Sequence, residues 1–295
     1  MLLSNLTQWY CNKIPEKEAI KMIADAGFDA YDISLFELTR NEEYLFNSPN
    51  YVEIAKEMRE YADSIGIVCN QSHAPFPTST GKEEEDKVIF QKIVRAMEIA
   101  SILGAKIIVV HPKQHLIHAE HPDELFEMNV EFYKSLIPYC EKFGIKVACE
   151  NMWQWYNGNK VPSDSTCSRA WEFNKYLDAI DSEWIVGCLD IGHVSLMNAD
   201  IPDFIRQMGN KRLQALHVHD TDYKSDKHTA PFMEKIDFIA MCKALAEIDY
   251  QGDFTFETDA FYKGKPKELL LATNKYLCEI GRYLVAQFEE AKKQK

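Results

Sequence analysis

Apolar and polar positions alternate along the chain in a regular pattern. Short apolar runs of strand character fall at 2–6, 28–33, 67–71, 106–110, 146–149, 185–189, 213–218 and 253–256. Between them lie segments with apolar residues at helical spacing: 15–26, 52–65, 84–103, 123–143, 237–248 and 267–290. Pro15 sits where a first helical turn begins, and Gly27, Gly66, Gly104 and Gly144 each close a helical segment just before an apolar run. Proline at a helix start and glycine past its end are the expected punctuation. A repeated helix–glycine–strand unit is the signature of parallel βα repeats. Eight such units in 295 residues predict a (β/α)8 barrel, as against an open doubly wound sheet. No Gly-x-Gly-x-x-Gly and no Walker loop follows any of these runs, which argues against a dinucleotide or P-loop fold. No Pro/Ser-rich linker interrupts the pattern, so one domain spanning 1–295 is expected.

The chemistry falls at the strand ends. Glu150, Asp190, His217 and Glu257 stand at or next to the last residue of the fifth to eighth runs. In a closed barrel those ends are neighbours on one rim, where such barrels carry their active sites. Carboxylates crowded there repel, and their pKa values rise. A divalent cation removes that conflict, and three carboxylates with one imidazole suit Mn²⁺, Mg²⁺, Co²⁺ or Zn²⁺. One such ion is expected.

His73 and His111 end the third and fourth runs and point to the same rim, each followed closely by proline. His193 lies three residues beyond Asp190, as a substrate ligand or a further metal ligand. His219 shares a strand face with His217 but lies further out, supporting the inner residues. His115, His118 and His121 fall in a polar stretch and are expected to face solvent. The rim loops are the long ones. Residues 151–166 carry Trp153, Trp155 and Tyr156; residues 220–235 carry Asp222, Asp226 and His228. The aromatic residues form either a lid over a sugar ring or packing for the loop itself.

Composition narrows the picture. Hydrophobic residues make up 46%, enough for a sizeable core. The net charge of −13 disfavours nucleic acid and anionic lipid as partners. No apolar run approaches a membrane span and the start lacks a basic, apolar leader, so no membrane partner and a cytoplasmic location are expected. The eight cysteines contain no Cys-x-x-Cys pair and read as reduced core thiols. No Arg/Lys cluster or glycine-rich cradle ends the seventh and eighth runs, which predicts an uncharged small-molecule substrate. A homo-oligomer is left open.

Seven motifs then stand together: Ser-His73-Ala-Pro, Val-His111-Pro, Cys-Glu150-Asn, Leu-Asp190-Ile-Gly-His193, His217-Val-His219-Asp220, Asp226-Lys-His228 and Phe-Glu257. Across nearly the whole chain they resemble the xylose-isomerase-like barrel superfamily, which holds sugar isomerases and epimerases, inosose-processing enzymes and endonuclease IV. The resemblance implies a metal held by Glu150, Asp190, His217 and Glu257. It also implies that Glu150 and Glu257 move protons and that His193 contacts substrate oxygens, with His73, His111, Trp153, Asp226 and His228 lining the same site. The expected reaction is interconversion of ketoses, aldoses or keto-cyclitols by carboxylate-mediated proton transfer through a metal-stabilised enediolate. Isomerisation and epimerisation stay open, as does an inosose dehydratase-like lyase.

The nine metal-ligand positions of the endonuclease branch also have counterparts: His73, His111, Glu150, Asp190, His193, His217, Asp226, His228 and Glu257. That keeps a metal phosphodiesterase as an alternative. Against it, Thr-Ala-Pro-Phe-Met follows His228 where the endonucleases carry glycines, and the chain has no basic rim. Tyr156 and Tyr223 replace the acid and the arginine expected in ketose 3-epimerases, which separates this chain from their substrate specificity.

Overall fold

The computed structural model describes residues 1–8, 14–155 and 161–295. Cys11 and Tyr156 lie outside the described residues. Eight parallel strands form the sheet: β1 (Leu3–Leu6), β2 (Ala30–Ser34), β3 (Val68–His73), β4 (Ile107–Val109), β5 (Lys146–Glu150), β8 (Ile185–Asp190), β9 (Leu213–His217) and β10 (Phe254–Phe256). β1 pairs with both β2 and β10. The ring closes where Val218 bridges Phe256, with Val218 N donating to Thr255 O and Glu257 N donating to Val218 O. All eight expected strands are present, with ends shifted by one or two residues. The remaining two strands, β6 (Trp153–Trp155) and β7 (Pro162–Asp164), form an antiparallel pair within the 151–166 loop. That pairing was not anticipated, because an aromatic-rich loop and a short hairpin share one composition.

The helices wrap the outside. They are α1 (Glu16–Asp25), α2 (Glu37–Arg40), α3 (Tyr51–Ser64), α4 (Glu83–Leu103), α5 (Pro122–Phe143), α6 (Ala170–Ile180), α7 (Ile191–Leu196), α8 (Ile201–Arg212), α9 (Phe238–Glu247) and α10 (Leu270–Lys293). Gly104 and Gly144 end α4 and α5 in the left-handed conformation, which costs glycine nothing. The main core lies between strands and helices. A second, small cluster of Val109, Ala148, Val186, Cys188 and Ala215 fills the barrel's inside. Both faces of the eight barrel strands are therefore largely buried, which is why those strands read as near-continuous apolar runs.

The chain's last helix, α10, continues through its charged end to Lys293. Lys292 pairs with Asp249 at 3.0 Å, and Lys295 Nζ donates to Glu247 O, so the end is tied to α9. No described helix is long and apolar enough to cross a membrane. The seven described cysteines are free and buried.

His118 departs from the solvent-facing expectation. Its Nε2 donates to Glu172 Oε1 on α6 at 2.7 Å, and both side chains are largely buried. That hydrogen bond raises the imidazole pKa against the opposing effect of burial. A folded-state pKa above the unfolded value of 6.5 gives a stabilisation that is complete below pH 6.5. It is lost as pH rises through the folded value. His118→Gln should therefore destabilise the fold more at pH 6 than at pH 9, by about 1–2 kcal/mol at the acidic end, as read by thermal melts at the two pH values. Equal losses at both pH values would remove the ion pair from the explanation.

Candidate metal centre and active-site mouth

Four strand ends build the centre. β5 delivers Glu150, β8 delivers Asp190, β9 delivers His217, and the residue after β10 is Glu257. All four are buried, and one donor atom from each lies within 4.8 Å of the others. His217 Nδ1 sits 3.3 Å from Glu150 Oε1 and 3.1 Å from Glu257 Oε2. Yet among the described residues neither ring nitrogen of His217 has hydrogen-bond geometry to a partner, nor has Glu150 Oε2. Buried polar atoms without partners are costly and call for a reason. Ligand atoms about 2.0–2.2 Å from one ion, held at right angles, stand about 3 Å apart, which is the spacing here. The donor set thus fits a divalent cation.

The surrounding residues fix these four. Asp190 caps the amino end of α7, with its Oδ1 accepting from His193 N at 2.7 Å. His219 Nε2 lies 3.0 Å from both Asp190 oxygens, the supporting position expected of it. Asn151 ties β5 to β8: its amide accepts from Asp190 N and donates to Asp190 O. Its carbonyl accepts from His193 Nδ1 at 2.8 Å, which fixes that ring's orientation.

Gly192 has a packing role. A Cβ there would stand 2.0 Å from His219 Cε1. Gly192→Ala must push His219 off Asp190. We expect a destabilisation of about 1–3 kcal/mol and a loss of about 10–100-fold in metal affinity. Thermal melts and metal titration read the two effects, and unchanged affinity would show that His219 does not support the centre.

Three further donor groups stand beside the first. Asp32, His73 and His217 form one, sharing His217 with it. Of the two that flank it, His73, His111 and Glu150 form one and His193, Asp226 and His228 the other. His111 Nε2 lies 3.0 Å from Glu150 Oε2, and the His73 ring stacks on His217 at 4.3 Å. His228 Nε2 donates to Asp226 Oδ2 at 3.0 Å, and Trp153 Nε1 donates to the same oxygen. Burial alone favours neutral groups, but opposite charges outweigh it. His217 and His111 hold Glu150 well below the usual carboxylate range. His193 and His219 hold Asp190 down to about 2. Asp190 and Asp226 hold His193 up to about 10.

All ten sequence-predicted site residues meet at this end of the barrel. Most line a mouth of about 430 Å³, where Trp153 and Trp155 meet edge to face at 4.9 Å. Sequence reasoning missed several neighbours. Asp32 on β2 accepts from Gln71 Nε2 and faces His73 Nδ1 at 3.3 Å. Asp259 lies 3.2 Å from His228 Nδ1. Phe36 and Phe76 pack against His111, and the Arg40 guanidinium lies 4.9 Å from the Phe36 ring. An acid inside an apolar run was a readable signal for Asp32; nothing in the sequence marked Arg40.

Residues 20–279 match the family described as xylose isomerase-like TIM barrel. The chain belongs to that family. Among relatives of this xylose isomerase-like barrel, an uncharacterised protein of Methanocaldococcus jannaschii is 27% identical, over 94% of this chain and 90% of that one. The putative L-ribulose-5-phosphate 3-epimerase SgbU of Escherichia coli is 20% identical, over 93% and 92%. A D-tagatose 3-epimerase-like protein superposes with a TM-score of 0.77 at 21% identity, covering 98% of this chain and 99% of that one. The IolI protein, solved with a bound zinc atom, gives 0.75 at 18% identity, with the same coverage.

Proposed function

We propose that this xylose isomerase-like barrel is a divalent-metal-dependent sugar isomerase or epimerase. The carrying observation is the placement of Glu150 and Glu257 on either side of His217, buried and within reach of one ion. Glu150, Asp190, His217 and Glu257 would hold the metal, which supplies Lewis-acid stabilisation of the negative charge that builds on a substrate oxygen. The epimerase names among relatives and the zinc of one structural neighbour support this reading.

The chain's own residues then do the proton work. One glutamate removes the proton from the carbon next to the carbonyl. The other returns a proton, to the opposite face for epimerisation or to the neighbouring carbon for isomerisation. Each such group contributes about 10²–10⁴-fold. His193, whose Nδ1 is held by Asn151 O, lines the mouth and contacts substrate oxygens. Trp153 and Trp155 offer apolar faces to the sugar's C–H surface.

The mouth favours an uncharged monosaccharide or keto-cyclitol. Lys227, near the β9 loop, is already tied to Asp222 and Glu234. Arg40 is the single lysine or arginine among the described residues of the wall, against four carboxylates. The test is elemental analysis of the purified protein with a panel of ketoses, aldoses, inososes and ketose phosphates assayed with Mn²⁺. One metal per chain and a higher kcat/KM for free sugars are expected. A marked preference for phosphates would overturn the substrate class, and water loss from an inosose would move the reaction to the lyase branch.

A second reading, a metal phosphodiesterase, is favoured by the two flanking donor groups. Three metals per chain and cleavage of an abasic-site duplex would support it. The net charge of −13 and the acidic wall oppose it.

A further inference from the structure

At the opposite end of the barrel the strand starts leave a depression of about 780 Å³, larger than the mouth. Two slips in the sheet shape it. Tyr31 pairs with Cys69 but Asp32 pairs with Gln71, so Asn70 is an extra residue in β3. Gly187 pairs with Leu213 but Cys188 pairs with Ala215, so Gln214 is an extra residue in β9. Both extra residues line the depression. Bulges disrupt ladder pairing and recur where a side chain must be re-aimed beside a site. Both put an amide where an apolar side chain would plug the barrel end better.

The charge there runs against the rest of the chain. The net charge is −13, yet the wall carries Arg59, Lys106 and Lys211 against one acid, Asp253. Both Asp253 oxygens are already used: Oδ1 accepts from Leu2 N at 2.8 Å and Oδ2 from Asn70 Nδ2 at 3.1 Å. Lys106 and Lys211 have no carboxylate partner among the described residues. Arg59 is held in place. Its Nε donates to Asp63, its Nη1 donates to Leu103 O at 3.2 Å, and Gly104 makes room for it. A Cβ on Gly104 would stand 2.0 Å from that Nη1. Arg59 keeps donors beyond its 2.9 Å pair with Asp63, and with the ammonium groups of Lys106 and Lys211 on the same wall it gives the depression cationic donors for an oxyanion. The volume is that of a small-metabolite pocket.

We propose that this depression is a second ligand site, taking a small organic oxyanion, phosphate or carboxylate. The charged group faces Arg59, Lys106 and Lys211, and the uncharged body lies against Asn70 and Gln214.

The test is isothermal titration of the purified full chain with inorganic phosphate and, separately, with citrate at low ionic strength. At least one is expected to bind, and the Lys106→Gln, Lys211→Gln double variant should weaken it about tenfold or more. Both lysines are exposed, so that variant keeps its fold, which circular dichroism verifies. Arg40→Met, in the mouth, should leave binding unchanged. Binding of phosphate alone assigns a phosphorylated ligand, and of citrate alone a polycarboxylate; either supports the site. Absence of binding by both would overturn it. So would binding that survives the lysine substitutions or that disappears in Arg40→Met, since the anion would then sit in the mouth.

Discussion

Glu257→Gln is expected to abolish exchange of substrate hydrogen with solvent while the metal stays bound. The substitution keeps the side chain's size and removes its ability to take a proton. Glu150, Asp190 and His217 remain to hold the ion. Incubation of the wild-type enzyme with substrate in D₂O should place deuterium on the carbon next to the carbonyl. In the variant that signal should vanish and kcat fall by about 10²–10⁴-fold, which corresponds to about 3–5 kcal/mol of barrier. Metal content, measured on the same sample, separates loss of the acid–base group from loss of the site. Exchange at the wild-type rate in Glu257→Gln would remove this glutamate from the proton path. Wild-type turnover without any exchange would point instead to a hydride shift between carbons.

The barrel was legible because parallel strands buried on both faces write themselves as unbroken apolar runs, and glycines marked the ends of α4 and α5. The centre was legible because strand ends converge whatever the loops do. Glu150, Asp190, His217 and Glu257 needed only a strand count to be placed on one rim. What the sequence hid depends on contacts across the ring. Asn151 follows Glu150 in the chain, but its use is to clasp Asp190 on the neighbouring strand. Arg40 comes from the β2 side, and a search confined to the seventh and eighth runs passes over it. His118 looked solvated because its partner, Glu172, lies 54 residues away on α6. The helix α6 lacked clear punctuation, and α8, although Asp200 and Pro202 mark its start, lacked it at its end. α6 ends at Asp181 in the left-handed conformation without a glycine, and α8 carries Gly209 within it. The two bulges left no trace either, since an amide inside an apolar run reads as an ordinary interruption.

The double variant Asp190→Ala, His217→Ala should lose metal more completely than any substitution in the supporting residues. Partners that orient a ligand typically cost about 10–100-fold in affinity when removed. Here two of the four donors go, and Glu150 and Glu257 are left facing each other with no imidazole between them. Their mutual repulsion then favours a proton over an ion of modest affinity. Elemental analysis should find metal in the wild type and little in the variant. Thermal melting supplies an independent readout. Added Mn²⁺ should stabilise the wild type by about 3 kcal/mol at a hundred times its Kd, and it should leave the variant's melting temperature where it was. Circular dichroism guards against a collapsed barrel, which is not expected because the main core lies between strands and helices. Undiminished metal content in a folded double variant would place the ion elsewhere. The flanking groups of His73, His111 and Glu150, and of His193, Asp226 and His228, would then be the next to test.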